Sequence, residues 1–191
     1  MNHRHSAALE RICVIGLGNV LLGDDGFGPL VVERFRCEYD HDASVEVLDL
    51  GTPGLDLAPY LYCKELVLIA DAVHSNDKPG ALSLYSETAL LDRQAVLHLT
   101  AHDPGVGQCL AHLKLNGHAP SEVFILGVVP ECLALGSGIS PSVLAAVPAA
   151  VETIAALLRE HGVLCRRRVV QEHPNLWWRA RLPAEPAGAI S

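Results

Sequence analysis

One apolar run near the middle of the chain, residues 66–72 (LVLIADA), restricts the fold more than any other segment. A strand with one face in water alternates apolar and polar residues, whereas a strand of a parallel sheet covered on both faces is apolar at nearly every position. Shorter β-rich runs at 11–16, 45–50, 81–85 and 123–129 alternate with stretches of helical periodicity. This alternation predicts an α/β fold, a three-layer sandwich whose twisted, largely parallel central sheet of about five strands is flanked by helices.

Four helical segments are predicted between or after these strands, at 28–39, 55–63, 105–115 and 141–160. Ser140 has the side chain of a good N-cap, and Pro141 suits the first helical position because its missing N–H would have no partner there. Pro148 falls inside this last segment, and we expect it to kink the helix or to delay its start.

Half of the 191 residues are hydrophobic, which is enough for one domain to bury a core without crosslinks. We assign residues 1–10 to an N-terminal tail, 11–164 to a single α/β domain and 165–191 to a C-terminal extension. The extension loses hydrophobic periodicity and gains arginine, proline and the pair Trp177-Trp178. It is therefore predicted to be a partly ordered tail.

The cysteine and charge patterns exclude several partners and compartments. The six cysteines include no CxxC pair, which is typical of reduced thiols in a cytoplasmic protein. The N-terminus lacks the apolar core of a signal peptide, and we expect no later apolar run to reach membrane-spanning length, so no membrane insertion is predicted. The net charge is −8, and five of the fourteen basic residues follow Cys165, so the acidic body argues against a nucleic-acid partner.

The glycine-rich segment after the first strand, residues 16–28 (GLGNVLLGDDGFG), has two opposed interpretations. A glycine-rich turn between a strand and a helix is typical of dinucleotide-binding sites, where the backbone approaches a pyrophosphate. Here Leu21 stands where the third glycine of that fingerprint should be, and Asp24 and Asp25 would repel the phosphates. Two adjacent carboxylates suit a cation instead, although either of them can also cap the following helix. The two residues can divide these roles.

A third aspartate and one histidine complete the candidates. Asp71 follows the apolar residues 66–70, and open α/β sheets bind their ligands at the carboxyl edge of the strands. The alternative for Asp71 is a turn or capping residue. His102 precedes the helix predicted from Gly105, but the chain has ten histidines, and spacing alone does not select this one.

Five blocks occur in one order along the chain: GLGNVLLGDDGFG (16–28), LDLGTPG (48–54), LIADAV (68–73), LTAHDPG (99–105) and LGVVPE (126–131). Together they resemble the nickel-iron hydrogenase maturation endopeptidases over about residues 11–162. The resemblance implies three nickel ligands: Asp25, where some members carry glutamate, Asp71, the aspartate that closes the third strand, and His102, ahead of the next helix. Asp24 then lies beside the site and shapes its field.

The same resemblance implies a hydrolase of the aspartyl-protease kind, an endopeptidase that removes a C-terminal peptide from the nickel-loaded precursor of the nickel-iron hydrogenase large subunit. Asp25, Asp71 and His102 are then both metal ligands and catalytic residues, and nickel is expected to arrive with the substrate, with other divalent ions as substitutes. Two oxygens and one imidazole suit a divalent transition ion, and three protein ligands leave positions for substrate groups. Two alternatives remain open: a nickel-dependent docking or chaperone protein that does not cut the precursor, and a Rossmann-like nucleotide-binding enzyme.

Overall fold

A computed structural model describes the protein at residues 11–87, 98–99, 105–170, 172–176 and 178. The described strands are β1 (Ile12–Leu17), β2 (Tyr39–His41), β3 (Val45–Gly51), β4 (Leu66–His74), β5 (Leu82–Ser86), β6 (His98–Leu99), β7 (Glu122–Val128) and β8 (Cys165–Arg167). The described α-helices are α1 (Phe27–Glu38), α2 (Ala58–Leu61), α3 (Gly105–Leu115) and α4 (Pro141–Glu160). Short 3-10 helices at Gly23–Gly26 and Gly54–Leu57 lead into α1 and α2.

The central sheet has the strand order β3-β1-β4-β7-β5. The first four of these strands run parallel, and β5 lies antiparallel to β7. The predicted fold, a three-layer α/β sandwich with a largely parallel sheet of about five strands, is confirmed. No sequence pattern predicts β2, β6 or β8, because strands of two or three residues are too short to show a period.

Both faces of the sheet are buried, as the apolar strands require. Side chains alternate along β1, so that Val14 belongs to one core and Ile15 to the other. The first core is completed by α1 and α4, which contribute the buried Phe35 and Leu158 among others. The second core is completed by α2 and α3, which contribute the buried Leu61. This two-sided burial explains why the strands read as continuous apolar runs.

Helix α4 begins where its capping signal predicts. The Ser140 side chain accepts a hydrogen bond from the Val143 N–H, and Pro141 is the first helical residue. The helix continues through Pro148, so that proline does not delay its start. By length and composition alone α4 could cross a membrane, contrary to the expectation from sequence, but its apolar face packs into the core beside α1. Core burial therefore accounts for its apolar composition.

The residues after α4 return to the body of the protein. Strand β8 pairs antiparallel with β2, and Arg167 and Arg168 form ion pairs with Glu38 and Asp40, both at 3.0 Å. Further along, Trp178 is 5% exposed. Its neighbour Trp177 lies outside the described residues.

Candidate active site

Asp71 lies at the carboxyl edge of the sheet, where the pairing of β4 with β1 stops. Gly16 and Ala70 form the last pair of the β1–β4 ladder, and Asp71 is the next residue. It pairs with Gly127 of β7 and is 2% exposed. Strand β4 continues to His74 because β6 pairs with its last two residues, so Asp71 does not end the strand as predicted. The Ala72 N–H donates to Oδ1 of Asp71 at 2.8 Å, which orients the carboxylate.

Asp25, the second predicted carboxylate, belongs to the 3-10 helix between β1 and α1 and is 4% exposed. The Asn19 N–H donates to Oδ2 of Asp25 at 2.7 Å. The turn before it requires glycine, since Gly18 has a φ of +124° and a Cβ there would lie 1.8 Å from the Asp25 carbonyl oxygen. The chain thus folds back tightly after β1 and holds the Asp25 carboxylate against its own backbone.

Asp24 has a different role from its neighbour. Its fully buried carboxylate accepts hydrogen bonds from the N–H groups of Glu131 at 2.7 Å, Cys132 at 2.9 Å and Ser140 at 2.6 Å. The Ser140 hydroxyl donates a further bond at 2.9 Å. Asp24 therefore anchors the loop between β7 and α4, rather than capping α1, whose N-cap is Gly26.

The sequence contains only an indirect signal for this anchor. Ser140 is recognisable as the N-cap of α4, but nothing in the pattern links it to an aspartate more than a hundred residues earlier. A buried carboxylate needs several donors, and the loop ahead of α4 offers adjacent N–H groups that no strand or helix uses. The partnership of Asp24 with Ser140 is thus a property of the fold.

Two further glycines of residues 16–28, Gly16 and Gly28, are explained by packing. A Cβ on Gly28 would lie 2.2 Å from the Leu17 carbonyl oxygen and 2.3 Å from that of Ala70. A Cβ on Gly16 would lie 2.5 Å from the Gly28 carbonyl oxygen. Helix α1 therefore starts in direct contact with the backbone of the sheet, which only glycine allows. With two buried aspartates in the same turn, this geometry opposes the dinucleotide interpretation.

His102, the third predicted ligand, lies outside the described residues. The elements on either side of it are described: β6 pairs Leu99 with Val73, and α3 begins at Gly105. Within the described part of the chain, no three histidine, cysteine or acidic residues are grouped as metal ligands. Because the predicted trio includes His102, it stays a prediction, as do the roles of Asp25 and Asp71.

Comparisons with known proteins agree on one family. A family model described as hydrogenase maturation protease matches residues 29–157. The chain is 34% identical over 157 residues to the hydrogenase 2 maturation protease of Escherichia coli K12, covering 80% of this chain and 93% of that relative.

Solved structures agree with the sequence matches. The hydrogenase maturating endopeptidase HybD from Escherichia coli is similar with a TM-score of 0.76 and 34% identity, covering 83% of this chain and 98% of that one. The [NiFe] hydrogenase maturation protease HybD from Thermococcus kodakarensis is similar with a TM-score of 0.62 and 28% identity, covering 77% and 98%.

Fold and matches together define a hydrolase of the α/β class that cuts peptide bonds. The chain belongs to the hydrogenase maturation protease family. The predicted family and enzyme class, an endopeptidase, are confirmed, which leaves the docking-protein and nucleotide-binding alternatives without support.

Proposed function

We propose that this endopeptidase removes a C-terminal peptide from the precursor of a nickel-iron hydrogenase large subunit, in the cytoplasm, and that it does so only when the precursor carries nickel. The ion is part of the substrate in this proposal. Asp25, Asp71 and His102 contact it, and this contact brings the scissile region of the precursor to the protease.

The pair of buried carboxylates at one edge of the sheet carries the proposal. Asp25 follows β1 and Asp71 lies in β4, and these two strands are neighbours that end their mutual pairing at Gly16 and Ala70. Each carboxylate accepts a backbone N–H, which orients it and adds no net charge. Carboxylate oxygens held in this way suit a divalent ion.

The environment of Asp24 supports the choice of Asp25 as the ligand. Four hydrogen bonds to residues after β7 hold the Asp24 carboxylate inside the protein, so binding an ion would break an existing set of bonds. Of the two adjacent aspartates, Asp25 is the one that faces the turn after β1.

His102 is the remaining donor in this proposal. Its imidazole joins the carboxylate oxygens of Asp25 and Asp71, and this set of two oxygens and one nitrogen fits nickel as well as zinc. When bound, the ion supplies a template for the scissile peptide and a Lewis acid toward its carbonyl group. This chain contributes the groups that hold the precursor in register and a carboxylate that accepts a proton. Asp25 and Asp71 are the candidates for that base.

The name of the relative from Thermococcus kodakarensis, a [NiFe] hydrogenase maturation protease, supports the choice of substrate. The direct test incubates the purified protein with nickel-loaded and nickel-free large-subunit precursor and follows loss of the C-terminal peptide by mass. We expect cleavage of the loaded form only. Equal cleavage of both forms would overturn the dependence on nickel, and cleavage of neither would overturn the choice of substrate.

A further inference from the structure

A second reactive arrangement lies at the opposite edge of the sheet, at Cys63. This residue follows α2 and comes three positions before β4 begins at Leu66, whereas the candidate active site lies at the carboxyl edge of the same sheet. Cys63 is exposed, in contrast to the other five thiols, of which Cys132 is half-buried and the rest are buried. A reagent in solution therefore meets Cys63 first.

An imidazole is held next to this thiol. The Cys63 Sγ lies 3.7 Å from Nδ1 of His118, within hydrogen-bond range for sulfur. The His118 N–H donates to the Leu113 carbonyl at 2.9 Å, and the ring packs against Tyr62 with centroids 4.5 Å apart. The histidine is thus fixed from the backbone and from one face of its ring.

The backbone holds the cysteine in the same way. Its N–H donates to the His118 carbonyl at 3.0 Å, and its φ is +50°, the only left-handed value of a non-glycine residue in the described part of the chain. A residue other than glycine adopts this left-handed conformation only at a cost in free energy. The surrounding hydrogen bonds therefore hold the backbone of Cys63, and with it the thiol, in place.

A cavity of about 670 Å³ adjoins the pair and is lined in part by Tyr62, His112, Asn116 and His118. This volume falls within the range of pockets that accept small molecules. The polar side chains among its lining residues are two imidazoles, an amide and the Tyr62 phenol, which suit the carboxylates and amides of a small peptide. The pair therefore opens onto space in which an attached group fits.

We propose that Cys63 and His118 form a thiol–imidazole couple that takes up a low-molecular-weight peptide disulfide as a mixed disulfide. Nδ1 of His118 accepts the thiol proton, and the Cys63 thiolate attacks one sulfur of the disulfide. The new S–S bond forms as the old one breaks, so Cys63 is oxidised and one thiolate is released, which takes up a proton. The attached half lies in the cavity beside His118 and Asn116.

The proposal is independent of the proteolytic function. Cys63 precedes the first residue of β4 and Asp71 lies in the second half of that strand, so the modification leaves the carboxylates of the candidate site in place. Failure of one idea does not affect the other, because the first is read from precursor cleavage and the second from the mass of this protein.

Glutathione disulfide is the probe for the test. The full chain is incubated with it without other oxidants, and the rate of adduct formation is followed by intact mass, with peptide mapping to locate the adduct. We expect one glutathione on Cys63 and none after Cys63→Ser. His118→Gln should slow the reaction about tenfold or more, whereas His112→Gln, a histidine of the same cavity without the thiol contact, should leave the rate unchanged.

Reaction of the unfolded chain in urea provides the reference that does not depend on any variant. Native Cys63 should react faster than cysteines of the unfolded chain, because only the folded chain holds His118 beside it. The proposal is overturned by a native rate at or below the unfolded rate, by first modification at Cys132, or by equal slowing in the two histidine variants.

Discussion

The carboxyl edge of the sheet and the β2–β8 ribbon (Tyr39–His41 with Cys165–Arg167) both hold acidic side chains, but with different partners. At the edge, Asp24, Asp25 and Asp71 accept hydrogen bonds from backbone N–H groups. At and beside the ribbon, the acids are paired with arginines: Asp40 of β2 with Arg168, and Glu38 at the end of α1 with Arg167. An amide stabilises a carboxylate without cancelling its charge, whereas a guanidinium cancels it. The backbone amides at the edge are compatible with the proposed nickel contact, whereas the ion pairs beside the ribbon attach the C-terminal segment.

The largest effects are expected at the edge, on activity. Asp25→Asn and Asp71→Asn keep the shape of the side chain but remove its charge, and His102→Ala removes the imidazole. Each should lower processing of nickel-loaded precursor by about 100-fold or more while the protein stays folded. Cleavage assays together with thermal melts check this, and normal processing by all three variants would disprove the assignment of the site.

Asp24→Asn should have its effect on stability. The change leaves donors from Glu131, Cys132 and Ser140 facing an amide that accepts fewer bonds and brings its own N–H groups, at an expected cost of about 3 kcal/mol in the free energy of unfolding. Asp56→Asn, at an exposed acid of the other 3-10 helix, is the matched control and should change stability by less than about 0.5 kcal/mol. Urea melts measure both. Similar stabilities for the two variants would remove the distinction between a structural and a functional aspartate at the edge.

At the ribbon, Arg167→Gln should be a mild and salt-sensitive change. The Arg167 side chain is 61% exposed, so its pair with Glu38 contributes about 1 kcal/mol or less, and added salt should reduce the difference from the original protein. Unfolding measured at low and high salt tests this. A loss that is large and independent of salt would show that the ribbon depends on packing instead of charge.

His161 is expected to give the smallest effect, and one that depends on pH. The Leu157 carbonyl and the Glu122 carboxylate raise the pKa of His161 above its usual 6.5. Because the pKa of His161 is higher in the folded than in the unfolded chain, the protonated imidazole stabilises the fold. This contribution is fully present below about pH 6.5 and is lost as the pH rises through the folded-state pKa. Relative to the original protein, His161→Gln should be less stable by about 0.5 kcal/mol near pH 5.5, with the two converging by about pH 9. A difference that is constant with pH would exclude a role for the charge.

The parts of the fold that were predictable are those with long, periodic segments. β1, β4, β7 and α4 show their class in the sequence because burial on one or two faces fixes the spacing of apolar residues. Pro148 illustrates the limit of local rules: a proline inside a helix costs about 3 kcal/mol, yet the packing of the apolar face of α4 maintains the helix through it.

The candidate site stays a prediction, but the positions of its two aspartates are of a kind that can be recognised in a sequence. Asp25 lies in the turn between β1 and α1, and Asp71 follows the apolar residues 66–70, although β4 continues past it to His74. The role of Asp24 could not be read, because its donors come from residues 131–140, which approach it only through the topology of the sheet. Pairing of β2 with β8 joins segments about 125 residues apart, and no local pattern records such a contact.

The order of strands has a consequence for synthesis of the chain. β4 has β1 on one side from the start, but its other neighbour, β7, follows only after residues 75–121 have been made, and β5 cannot join the sheet until then. On the emerging chain, β4 therefore presents a bare apolar edge, the kind of surface that chaperones bind and that promotes self-association. The nascent chain is therefore most prone to self-association if translation pauses after β4 and before β7 has been made.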